Sequence, residues 1–326
     1  MDFTFTDEQR AFQSAVRDFL TKECPPEHVR AMTTDPTGRS PKLWKALASL
    51  GVVGLTVPGE YGGLGGDETD LVLILEEAGR AALPEPLVET TAVAVPMLRD
   101  AGGPLAAEWL PKMAEGDAIL VPGGIDGVLV SDAHVADRIL IAGEAGIEAV
   151  EPERLATTPA RSVDATRRIF SLEKAHPNEA SFDRGALGTA AVLCGIADRV
   201  IEFAAAYAKE RQQFGKPIGS FQAVKHLLAD ALLGLEFARP VVYRAAWSLA
   251  NGDPDSSIHA SMGKAYASDA AMDASRAALQ VHGAIGYTHE HDLHLWLNKA
   301  TALAHAWGTS TWHRDRVAGR VLGPQR

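Results

Sequence analysis

The sequence is short of several things, and each shortage closes a class of function. Cysteine is nearly absent: Cys24 and Cys194 are the two in 326 residues. Two distant thiols make neither a disulfide framework nor a zinc site, and they fit a reducing cytosol. No apolar run approaches the ~20 residues of a membrane span. The opening MDFTFTDEQR lacks a signal-peptide apolar core. A cytoplasmic protein with no membrane partner is therefore expected. No block of Lys or Arg stands out and the net charge is −11, so nucleic acid is not an expected partner. There is no internal repeat and no low-complexity tract. What remains is an ordinary globular composition, 46% hydrophobic and 22% charged. The chain is long enough for a large core and two or three domains.

Periodicity divides it in three. Residues 1–110 read as a helical domain. Thr6 ahead of Asp7, Glu8 and Gln9 is expected to cap a helix carrying Phe12, Val16, Phe19 and Leu20 on one face. Helical spacing returns at Trp44, Leu47 and Leu50, and again over about 69–82 with Leu71, Ile74, Leu75 and Ala78, which ALPEP (82–86) ends. Residues 111–182 read as a reduced β domain, from the short runs ILV (119–121), VLV (128–130), RILIA (138–142) and RRIFSL (167–172). Residues 183–326 read as a helical bundle, with long helices at about 186–212, 220–250, 255–281 and 289–305. The fold class is mainly α.

Three stretches carry polar chemistry. In ERQQFGKPIGSFQAVKH (210–226) Arg211 and Phe214, three apart, are expected to share a helix face that Gly215 and Pro217 end. Gln222 falls in the first turn of the next helix. An Arg fork binds phosphate, a Phe face stacks on a ring, and a Gln holds a phosphate or amide oxygen. The plain alternative is a solvated helix corner. QVHGAIGYTHEHDLHLWLNKA (280–300) interrupts a helical pattern with Gly283 and Gly286 and holds His282, His289, His291 and His294. Its spacing is not HExxH and no Cys joins it, so a solvated polar face is expected and no metal. HAWGTSTWHR (305–314) offers Gly308, Thr309 and Ser310 to an anion or, more plainly, as helix caps.

Together these pieces resemble the acyl-CoA dehydrogenase family over nearly the whole chain. FTDEQRAFQSAVRDFL, VPGEYGGLGG and EEAGRA match at the N-terminal side, and the three stretches above match in order at the C-terminal side. The resemblance implies FAD shared across a subunit interface. It implies that Arg211, Phe214 and Gln222 hold the ADP half of a neighbour's FAD. Gln280 and Gly283 stand in the segment that contacts the pyrophosphate, with Ala284 in place of its second glycine. Thr309 stands in the Gly-Thr pair. The expected substrate is an acyl-CoA and the expected electron acceptor an electron-transfer flavoprotein.

The chain also departs from the family. The glutamate base that takes the α-proton is replaced by Trp307, and at its alternative position stands Gly185. Asp183 is the fallback base, or else the cap of the bundle helix. Neither of the family's flavin-ring motifs follows Asp117. The chain thus resembles the shortened, base-free subunit of actinobacterial α2β2 acyl-CoA dehydrogenases, several of which act on steroid side chains. A catalytic partner subunit is then expected. Two alternatives stay open: a self-sufficient homo-oligomer using Asp183, and a scaffold without redox chemistry.

Overall fold

The computed structural model describes residues 4–123, 129–143, 146–172 and 178–323. The helical part begins with α1 (Asp7–Glu23), and its capping box is closed. Thr6 Oγ1 accepts from the Gln9 N–H at 3.1 Å, and the Gln9 side chain accepts from the Thr6 N–H at 2.8 Å, so two backbone donors that the helix cannot use are satisfied. α2 (Pro26–Thr34), α3 (Pro41–Ser49) and α4 (Glu68–Arg80) follow. Val16 and Leu20, Trp44 and Leu47, and the run Leu71–Leu75 close one core between them. After ALPEP comes a buried π-helical turn, Val88–Ala94, then α5 (Val95–Ala101) and α6 (Gly103–Ala114).

The strands are short: β1 (Leu120–Pro122), β2 (Leu129–Ser131), β3 (Arg138–Gly143), β4 (Gly146–Val150), β5 (Thr157–Ala160) and β6 (Ile169–Leu172). They form two three-stranded sheets in the orders β1-β3-β4 and β2-β6-β5. β1 runs parallel to β3 and the other pairs are antiparallel. The runs at 119–121, 138–142 and 167–172 all contribute strands. Val128 of the VLV run lies outside the described residues, as do 124–127 and Glu144. β4 and β5 were not expected. They are half-exposed edge strands, and pairing with β3 and β6 defines them where their own sequence alternates weakly.

The bundle is built from α7 (Glu179–Glu210), α8 (Gln222–Ala250), α9 (Ser256–His282) and α10 (Leu293–His305), with a fifth helix, α11 (Ser310–Leu322), packed on α9. A two-residue hairpin, β7 (Gln212–Gln213) with β8 (Lys216–Pro217), joins α7 to α8. α7 begins at Glu179 rather than near Ala186, because Asn178 caps it: its Oδ1 accepts from the Ser181 N–H at 2.8 Å. Asp183 therefore does not cap this helix.

Glycine lets α4 and α7 touch backbone to backbone. A Cβ at Gly79 would lie 2.0 Å from the Val192 carbonyl oxygen, and one at Gly195 would lie 1.9 Å from that of Glu76. Charge then surrounds this crossing. Arg80 reaches Asp198 and Glu202, and Arg239 reaches Glu76 and Asp198. Burial raises the Glu76 carboxyl to about 7 against the pull of Arg239. The β region is tied to α10 by Lys299, whose ammonium lies 2.9 Å from Asp164 and donates to Thr166 Oγ1 at 3.1 Å. No helix among the described residues is long and apolar enough to cross a membrane.

Candidate functional site

The bundle has two ends, and they divide the residues singled out by the sequence. At one end α7 stops at Glu210. Arg211 is its C-cap and the chain turns at once into the β7–β8 hairpin. Phe214 and Gly215 take φ of +54° and +77°, as the two central residues of a type I′ turn do. Arg211 and Phe214 therefore do not share a helix face; a hairpin turn presents them. Gly215 is the turn residue here, and turn chemistry won over the helical spacing. Phe214 is 90% exposed, and Arg211 is exposed and forms no ion pair among the described residues. Lys209, Arg211, Lys216 and Lys225 stand against Glu210 alone over 209–225. In a chain of net charge −11 that is a local positive patch, of the kind that draws a phosphate.

Gln222 opens α8 at this same end, its Nε2 3.0 Å from His226 Nε2. α9 runs back alongside α7, and its C-terminus arrives here as well: the rings of Tyr207 and His282 stack with centroids 4.5 Å apart. Gln280 and Gly283 are exposed beside that stack, and Gly283 takes φ +64°. Arg211, Phe214, Gln222, Gln280 and Gly283 are thus gathered on one end. The histidines do not form one solvated face: His289 is exposed, but His291 and His294 are half-buried. His282 is buried, donates from Nδ1 to the Ala278 carbonyl at 2.7 Å, and lies against His291 at 4.5 Å between centroids. Burial lowers the pKa of both. No group of three metal-ligating side chains occurs among the described residues.

The other end holds Gly185, Trp307 and Thr309. Trp307 is wholly buried, with φ +56°, a conformation that costs a bulky residue energy unless its surroundings impose it. They do impose it. The buried Lys264 ammonium donates to Ser268 Oγ at 3.0 Å, the Ala304 carbonyl at 3.2 Å and the Gly308 carbonyl at 3.1 Å. His313 Nε2 donates to the Trp307 carbonyl at 2.7 Å. Burial, with Lys264 and Arg316 adding to it, lowers His313 to about 4, so the ring is neutral at pH 7. The indole lies on α7 at Gly185: a Cβ there would sit 2.4 Å from its Cδ2 and Cε2 atoms. Phe182 meets the same indole edge-on at 6.0 Å. Thr309 is exposed and caps α11, its Oγ1 accepting from the Trp312 N–H at 3.2 Å. Thr309 is not brought to the Arg211 end.

Asp183 stands two residues before Gly185, so it points about 160° away around the helix. It is buried, its Oδ1 takes Arg316 at 2.5 Å, and its Oδ2 takes the Ser257 hydroxyl. Both oxygens are occupied on the α9–α11 side, away from Trp307. Lys264, His313 and Arg316 were not singled out by the sequence. For Lys264 a signal existed: a lone charge on the small-residue face formed by Ala260, Ser261, Ala267, Ser268 and Ala271.

Comparison with known proteins decides the family. The acyl-CoA dehydrogenase N-terminal domain matches residues 6–117 and the acyl-CoA dehydrogenase C-terminal domain matches residues 178–322. The acyl-CoA dehydrogenase IpdE2 of Mycolicibacterium smegmatis is 34% identical over 325 residues, covering 97% of this chain and 100% of the relative. The chain belongs to the acyl-CoA dehydrogenase family. Members are FAD-dependent oxidoreductases acting on acyl-CoA thioesters, which sets the cofactor and the substrate class. The fold agrees with solved structures of the family. The ChsE4–ChsE5 complex from Mycobacterium tuberculosis superposes with a TM-score of 0.90 at 24% identity, covering 100% of both chains. A Tcur3481–Tcur3483 steroid ACAD variant superposes at 0.88 and 23% identity, covering 97% of this chain and 98% of the other.

Proposed function

We propose that this chain is the base-free, FAD-completing subunit of a heteromeric acyl-CoA dehydrogenase. The observation that carries the reading is the Trp307 indole lying on Gly185. These are the two positions to which the family resemblance assigns a glutamate base. Neither holds a carboxylate, and each fills the other's space, so no base can enter without repacking. Opposite them stands the exposed, cation-rich turn of Arg211 and Phe214.

The residues of that turn fit the ADP half of FAD. Arg211 offers a guanidinium fork to a phosphate oxygen. The exposed Phe214 ring offers an apolar face to a planar base. Gln222 and Gln280 offer amide donors, and Gly283 leaves the backbone open to close approach. FAD, when bound, supplies the acceptor for the hydride that leaves the β-carbon of the acyl thioester. The α-proton in this reading goes to a glutamate of the partner subunit. An α2β2 assembly follows, passing its electrons to an electron-transfer flavoprotein. A steroid-derived acyl-CoA is the first substrate to try, since one structural relative is described as a steroid enzyme.

Self-sufficient catalysis by Asp183 fits less well, because Arg316 and Ser257 occupy both of its oxygens. The test is flavin absorbance and turnover of the pure chain, alone and co-expressed with a full-length acyl-CoA dehydrogenase subunit encoded beside it. A colourless lone chain and a yellow, active pair are expected. A lone chain that is yellow, and that an acyl-CoA bleaches unless Asp183→Asn is introduced, would overturn the proposal. A pair whose flavin content survives Arg211→Ala would leave only a scaffold role.

A further inference from the structure

A buried cluster of charge sits where the three parts of the chain meet. A cavity of about 50 Å³ lies there. Glu89 lines it from the π-helical turn, Asp132 from the end of β2, Arg167 from the loop before β6 and Lys299 from α10. Glu89 is 7% exposed and Asp132 8%. The Lys299 ammonium is already held by Asp164 and Thr166. Arg167 has Glu89 as its one ion-pair partner among the described residues, at 3.8 Å, and the Glu89 carboxylate accepts no hydrogen bond among them. Asp132 accepts from the Ser131 hydroxyl at 2.7 Å. Glu85 also borders the cavity, but it is matched by Arg39 at 3.1 Å and by the Ser40 N–H at 2.6 Å. Arg168, next in the chain, donates to the Asp35 carbonyl at 2.9 Å.

The remaining charges do not balance. Glu89, Asp132 and Asp164 are three carboxyls against two cations, Arg167 and Lys299. A buried charge without a partner is neutralised rather than kept. A metal ion does not suit a cavity that two cationic side chains already line. A proton does, and the volume admits water to bridge the two carboxyls. Burial first, and Glu89 next, raise the Asp132 carboxyl to about 7 against Arg167 and Lys299. We propose that this junction is a proton-operated latch: Asp132, protonated and facing Glu89 across the cavity, seats the β region on the bundle, and loss of its proton loosens that seat. Nothing in the latch depends on the function proposed above. Arg167 also lines a second cavity, of about 220 Å³, with Leu129, Ile169, His305 and Ala306. Ala306 is the residue before Trp307, so a loosened latch widens a cleft at that end of the bundle. An unfolded aspartate titrates near 3.9. The folded chain therefore binds more protons from about pH 4 to 7, and what protonated Asp132 contributes to stability is lost as pH rises through 7.

The test compares the full chain with Asp132→Asn, which keeps the shape of the protonated acid and cannot ionise. Asp132 has φ +57°, a conformation that Asn also accepts. Urea unfolding is measured at pH 5, 6 and 8. His313 and Glu76 titrate in parent and variant alike, so the difference isolates residue 132. The variant is expected to be the more stable, its lead widening about 100-fold in the folding equilibrium from pH 5 to pH 8. A variant less stable than the parent at every pH would make Asp132 the ionised partner of Arg167 and overturn the proposal. A lead that does not change with pH overturns it too. Hydrogen exchange reads the latch itself. Protection of the β2 and β6 amides, taken relative to α9, is expected to fall about tenfold from pH 6 to pH 8 in the parent and to stay level in the variant. Protection that is flat in both, or falls equally in both, sinks the latch. Carbon-13 spectra of the parent labelled in its aspartate carboxyls give a reading that needs no variant: one carboxyl is expected to titrate near pH 7, and none doing so between pH 6 and 8 overturns the proposal.

Discussion

The two ends of the bundle treat the same family framework in opposite ways. At the Gly185 end, a glycine and a tryptophan interlock, the turn behind them is pinned by Lys264 and His313, and the side chains are buried. At the Arg211 end, a hairpin turn holds its arginine and phenylalanine out in solvent. A packed interior satisfies itself. An exposed aromatic beside an arginine with no carboxylate partner gains nothing for the lone chain and makes sense only in company. On the function proposed above, one end is finished within this chain and the other by a partner subunit.

The contrast can be broken most sharply at the closed end. Gly185→Glu puts a side chain into the indole and a carboxylate into a buried site. It is expected to cost about 3–5 kcal/mol in urea unfolding. Trp307→Ala in the same chain is expected to return part of that, giving a coupling of at least about 1 kcal/mol in a double-mutant cycle. Additive losses would show that the two positions do not share space. At the open end, Arg211→Ala is expected to weaken flavin retention by the assembly about 10- to 100-fold, the worth of a charge-assisted hydrogen bond. The lone chain's melting temperature is expected to stay put.

The closed end also predicts a pH dependence. His313 is held near 4 in the folded chain, below its unfolded value of about 6.5. The unfolded chain therefore binds more protons between these values. The stability that neutral His313 contributes is fully present above pH 6.5 and drains away as pH falls toward 4, on the order of 2 kcal/mol. Denaturant midpoints measured at pH 7 and pH 5 check this, and His313→Gln is expected to flatten the slope. The smallest effect belongs to Phe214→Ala. It is expected to move the lone chain's stability by less than about 0.5 kcal/mol, while loosening flavin in the assembly by about 0.5–1.5 kcal/mol.

Much of this was legible in the residues. Thr6 with Gln9 announced the first cap, and the helices expected at about 220–250 and 255–281 match α8 and α9. The order of helices, short strands and long helices was plain from the change of period. Other features depended on partners distant in sequence. β4 and β5 owe their register to β3 and β6. The hairpin at Arg211 was hidden because a three-residue spacing suits a helix as well as a turn. The histidines looked solvated until Tyr207, 75 residues before His282, stacked upon one of them. The packing of the Trp307 indole on Gly185 joins positions more than a hundred residues apart, and neither carries any local mark of it.

One consequence of the pinned turn concerns descent rather than energy. The backbone shape at residue 307 is held by Lys264, through the Ala304 and Gly308 carbonyls, and by His313, through the carbonyl of residue 307 itself. The side chain there is thus a replaceable part in a fixed socket. A lineage could exchange a glutamate for an indole at this point without redesigning the loop, provided a small residue stood opposite on α7.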